Sequence, residues 1–154
     1  MPSKKTIDEF LAQKHVAFVG VSRNPKQFAN AIYRELCDGG RTLYPVNRNP
    51  EVTTIEGDRS YQRLADVPDP VDGVFVMVAA KDAADVVREA VARGIPRVWL
   101  HRGLGPNSVS AEAVAICAEN GVDVVDGACP LMFVEPVGFI HRIHHGLARH
   151  RFAA

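Results

Sequence analysis

Apolar residues fall along the chain in two alternating rhythms: short unbroken runs, and longer stretches spaced by three and four. Over 6–13, Ile7, Phe10 and Leu11 predict a short opening helix capped by Thr6. Residues 15–21 read as a strand with both faces apolar, as expected of a central parallel strand covered by helices on each side. Asn24 and Pro25 then fit a cap and a first helical residue. Phe28, Ala31, Ile32 and Leu36 repeat at helical spacing until Gly39 and Gly40 stop that helix.

Residues 42–46 form the second predicted strand, with Pro45 near its C-terminal end, where a lost donor does least damage. The polar stretch 47–70 carries a short helix near 60–65. A third buried strand covers 73–79, and the helix after it, 82–93, ends at Gly94. A fourth strand over 97–100 leads into a Gly-rich turn at 101–105, followed by a helix over 110–120 and a fifth strand over 122–125. Phe139, Ile140, Ile143 and Leu147 mark a last amphipathic helix over 136–149.

Strands alternate with helices throughout, which predicts one domain over 1–154. Its architecture is α/β: a Rossmann-like, doubly wound, mainly parallel five-stranded sheet with helices on both faces. Ligands of such sheets sit beyond the carboxyl ends of the strands, at the point where the strand order reverses. That directs attention to 20–24, 47–50, 78–81, 101–105 and 126–130.

Composition narrows the partners. Eighteen basic and eighteen acidic residues balance, so no overall field draws nucleic acid or an anionic membrane. No apolar run is long enough to span a bilayer, and 1–5 lead into an amphipathic stretch rather than a signal peptide. Cys37, Cys117 and Cys129 are odd in number and widely spaced, which points to a reducing cytoplasm.

The turn Gly20-Val21-Ser22-Arg23-Asn24 joins a strand directly to a helix. Backbone N–H groups and the helix dipole there favour an anion, Ser22 can donate its hydroxyl, and Arg23 can pair with a phosphate. The alternative is an ordinary turn with a solvated arginine. The dinucleotide fingerprint would need glycines at positions 22 and 25, where the chain has Ser22 and Pro25. An NAD site would also place an acid after the second strand, and the chain has Asn47, Arg48 and Asn49. Both departures disfavour NAD. CoA with its 3′-phosphate and NADP with its 2′-phosphate remain.

The segments 19–25, 43–47, 55–57, 71–74, 98–100 and 127–130 together resemble the CoA-binding proteins of the succinyl-CoA synthetase α-subunit N-terminal domain type. The resemblance implies a stand-alone domain that binds CoA or an acyl-CoA without the ligase chemistry of the synthetase. By position, it implies that Ser22, Arg23 and Asn24 take the phosphates, with Gly20 and Val21 in the same cofactor-binding loop, and that Asn47 and Arg48 lie near the adenosine. Val78 and Ala79 would line the third strand's edge, while His101, Arg102 and Gly103 stand where many relatives carry a Gln-x-Gly turn.

Further chemistry is sparse. Cys129 follows the fifth strand with no base near it in sequence, and a structural cysteine is the simpler account. His141 and His145 share a helical face, with His144 and His150 nearby, but no acid or cysteine joins them, so solvation or a subunit contact outweighs a metal site. His101 is an even choice between proton donor or phosphate ligand and idle turn residue. Asp82 and Asp85 are accounted for by the dipole of their helix. The expected function is a non-catalytic CoA carrier, sensor or subunit, alone, as a homodimer or with an acyl-CoA enzyme. The rivals are an NADP-dependent reductase using His101 and an interaction domain with a vestigial pocket.

Overall fold

In the computed structural model, which describes residues 2–134, the buried runs become parallel strands and the spaced stretches become helices. In chain order these are α1 (Lys4–Leu11), β1 (His15–Val19), α2 (Phe28–Asp38), β2 (Thr42–Val46), β3 (Thr54–Ile55) and β4 (Asp58–Arg59). β5 (Gly73–Val76), α3 (Ala80–Ala92), β6 (Arg97–His101), α4 (Ala111–Glu119) and β7 (Asp123–Ala128) follow. The main sheet has five parallel strands in the order β2-β1-β5-β6-β7, and β3 with β4 forms a separate antiparallel pair. β1 pairs with β2 on one side and β5 on the other, so the strand order reverses at β1.

Alternate residues of each strand face opposite ways, and each face has its own core. On one, Ala17, Val76, Val98 and Leu100 pack with Val86, Val87 and Ala90 of α3 and Ala113 and Cys117 of α4. On the other, Phe18, Phe75 and Trp99 pack with Ile7 and Phe10 of α1 and Ile32, Tyr33 and Leu36 of α2. The aromatic rings of this second core touch in series: Phe10 meets Trp99 edge-on at 5.3 Å, and Phe18 lies 4.7 Å from Phe75. The indole Nε1 of Trp99 donates to the Ala128 carbonyl at 2.8 Å, so this buried donor is satisfied.

Several boundaries differ from the pattern-based expectations, each for a local reason. Ser3, not Thr6, caps α1, its hydroxyl accepting from the Thr6 N–H. β1 stops at Val19 because Gly20 turns into the left-handed region at φ 107°. β5 stops at Val76, since Ala79 already serves as the N-cap of α3. Instead of a short helix at 60–65 there is a 3-10 turn at Leu64–Asp66, and Tyr61 bridges to Val46. The expected helix over 136–149, with its histidines, lies outside the described residues.

Candidate functional site

At the reversal point the carboxyl ends of β1, β2 and β5 enclose an open cleft of about 290 Å³. Val19, Gly20, Val21 and Ser22 form one wall, Val46, Asn47 and Arg48 a second, and Val78 with Asp82 a third. Six of the residues expected in a site therefore meet here: Gly20, Val21, Ser22, Asn47, Arg48 and Val78. Arg23 and Asn24 are exposed on the loop beyond the lining, and Ala79 is exposed at the start of α3.

Gly20 is required by its neighbour strand. A side chain there would overlap the Met77 carbonyl, so β1 and β5 close together only because position 20 has no Cβ. The next residues do not run straight into a helix. Asn24 is not the cap and Pro25 is not the first helical residue: α2 starts at Phe28 with Gln27 as its N-cap. Side chains hold the intervening turn instead. The Asn24 N–H donates to the Ser22 hydroxyl oxygen at 3.0 Å, and the Lys26 N–H donates to the Asn24 side-chain carbonyl at 3.1 Å.

Asn30, on the first turn of α2 and 1% exposed, grips this loop from below. Its Oδ1 accepts from the Ser22 N–H at 3.0 Å, and its Nδ2 donates to the Ser22 carbonyl at 2.7 Å and to Glu56 at 3.0 Å. A carboxylate only accepts, so Glu56 fixes which end of the Asn30 amide faces which group. Glu56 also accepts from Arg34 at 2.7 Å, and Arg34 donates to the Pro25 carbonyl at 3.1 Å. Asn47 adds a tie from the β2 side: its Nδ2 donates to the Val21 carbonyl at 3.1 Å, and its Oδ1 accepts from the Asn49 N–H at 3.0 Å.

These ties decide what is left for a ligand. The Ser22 N–H is already used, while Asn47 keeps a second amide N–H and a second Oδ1 lone pair beyond its two bonds. The Ser22 hydroxyl acts as an acceptor within the loop, which leaves its proton free to donate outward. Among the described residues, the N–H groups of Val21 and Arg23 and the guanidinium groups of Arg23 and Arg48 have no partner. The cleft thus offers an anion a hydroxyl, backbone donors and a cation, over a floor of valines.

His101 is not part of this lining. It is fully buried, its Nε2 donates to the Leu104 carbonyl at 3.0 Å, and its ring sits 6.0 Å from Phe75 and 6.4 Å from Phe28. Burial holds its pKa below the ordinary value of 6.5, outweighing the bond to Leu104, so the neutral ring is favoured. Among the described residues its Nδ1 has no partner. Arg102 and Gly103 are exposed in the following turn, outside the cleft. That turn is anchored by Ser108, whose hydroxyl donates to the Val78 carbonyl at 2.6 Å. Cys129 is half-buried, packed against the aromatic core. No group of three or more His, Cys, Asp or Glu able to hold a metal occurs among the described residues, and none of their helices is long and apolar enough to cross a membrane.

Residues 14–135 match the family described as CoA binding domain. The chain belongs to that family. It is 29% identical over 129 residues to the uncharacterized protein YneT of Bacillus subtilis, covering 83% of this chain and 91% of that one. It is 27% identical to subunit alpha of the ADP-forming acetate–CoA ligase II of Pyrococcus furiosus, over 80% of this chain but only 28% of that subunit. A solved structure, a hypothetical protein from Pyrococcus horikoshii OT3, superposes with a TM-score of 0.77 at 28% identity, covering 86% of this chain and 92% of that one. Within this family member, the cleft lies where the strand order reverses, at β1. Glu56 lies in the 55–57 segment that carries the resemblance. Asn30, an isolated polar residue in an apolar helix face, gave no such signal.

Proposed function

We propose that this chain binds CoA or an acyl-CoA in the cleft at the ends of β1, β2 and β5, as a carrier, sensor or subunit with no catalysis of its own. The observation that carries the reading is the convergence of the Gly20–Ser22 loop with Arg48 in one cleft, within a CoA-binding-domain family member. The loop offers donors to a pyrophosphate. Arg48 stands where a bare ribose diol would be met by an acid, and a cation there suits the 3′-phosphate of CoA. An enzyme that acts on acyl-CoA is the partner class this suggests, because the relative from Pyrococcus furiosus is a subunit of an acetate–CoA ligase.

Thermal unfolding with CoA, acetyl-CoA, NADP and NAD tests the reading. A ligand at a hundred times its Kd adds about 2.7 kcal/mol, roughly 5–10 °C for a domain of this size. CoA and acetyl-CoA should each raise the midpoint, and NAD should not. A rise with NADP alone, or with none of the four, overturns the proposal.

A further inference from the structure

The walls of the cleft carry opposite charges. Arg48 extends from the end of β2, and Asp82 lines the wall that follows β5. Since β2 and β5 both flank β1, their ends are two inter-strand steps apart, about 10 Å. Between them lie Val19, Val21, Val46 and Val78. A ligand complementary to this lining is apolar in its middle, anionic beside Arg48 and a hydrogen-bond donor beside Asp82.

Asp82 is also unusual on its own helix. Asp82 sits in the first turn of α3, where the dipole favours an acid, and Asp85 lies one turn further on. Asp85, however, is paired with Arg88 at 3.0 Å, whereas the Asp82 carboxylate is half-buried and has no partner among the described residues. Its own N–H bonds only to the Ala79 carbonyl. A helix-dipole role does not require the carboxylate to form part of the cleft wall.

Building on the CoA reading, we propose that Asp82 is the residue that selects the base, accepting a hydrogen bond from the 6-amino group of adenine. The valines then hold the purine plane, and Arg48 takes the phosphorylated ribose on the opposite side. A carboxylate in this position rejects a base that lacks a donor on that edge, because its lone pairs would be desolvated without a partner.

The test compares CoA with an analogue in which hydrogen replaces the 6-amino group of the base, by calorimetric titration of the wild-type chain, Asp82→Ala and Asp82→Asn. The wild type should bind CoA roughly tenfold more tightly than the analogue, as for one bond to a charged acceptor in a partly solvated site. Asp82→Ala should bind the two equally. Asp82→Asn, which keeps a carbonyl acceptor, should recover part of the preference. Equal binding of both ligands by the wild type overturns the role of Asp82 and leaves the CoA reading intact. So does an Asp82→Ala variant that weakens both ligands by the same factor. Failure of the wild type to bind CoA removes the CoA reading and this one with it.

Discussion

The Asn30 amide closes three hydrogen bonds, two of them to the peptide groups of Ser22. Truncation to alanine strands a part-buried N–H and a part-buried carbonyl in the loop, each costing about 1–3 kcal/mol when left unmade. Asn30→Ala should therefore lower stability by about 2–4 kcal/mol, read as a lower urea midpoint at unchanged slope. It should also weaken CoA, since the loop loses the grip that aims the Ser22 hydroxyl. His101 makes a different prediction. Its folded pKa lies below the unfolded value of about 6.5, so the unfolded chain takes up the proton first. Its contribution is then complete above that value and is lost as the pH falls below it. His101→Gln keeps a donor for the Leu104 carbonyl without titrating. Urea midpoints taken between about pH 5 and 8 should fall less steeply toward acid for the variant than for the wild type.

At the scale of elements, the main strands were legible as short unbroken apolar runs and the helices as apolar residues spaced by three and four. The loop after β1 was legible as a position and not as a geometry. Asn24 and Pro25 have the residue types of a helix start, yet Ser22 and Asn24 spend their side chains on turns that delay α2 to Phe28. Short-range side-chain bonds of this kind compete with helix formation and leave no periodic trace. The β3–β4 pair escaped for a related reason: strands of two residues are too short to show alternation. Glu56, at their turn with φ 52°, reaches Asn30 from 26 positions away. Gly20 is the hinge between these elements. Gly20→Ala must hold φ 107° and push back the Met77 carbonyl, at a cost of roughly 2–5 kcal/mol. Denaturant unfolding should show that loss, whereas Gly40→Ala, where nothing lies within 4 Å of the added carbon, should lose less.

Over the whole molecule, covering both faces of a parallel sheet fixes where function can reside. The interior is committed to packing, and the strand ends supply the open ground. The order β2-β1-β5-β6-β7 then sets β1 at the centre of the reversal, so that Gly20, Arg48 and Asp82, far apart in sequence, border one cleft. His101 shows the limit of reasoning from strand ends alone. Its turn occupies the same edge of the sheet, but the ring folds inward against Phe75 and becomes part of the core. Pattern located the edge; only packing decides which side chains there face outward.

Trp99 is the chain's single tryptophan, fully buried where the rings of Phe10, Phe75 and Phe133 meet it. This one fluorophore is joined through the Ala128 carbonyl to the neighbouring edge strand, β7. Its emission should shift to the red as unfolding exposes the indole to water, so unfolding can be followed without any added label.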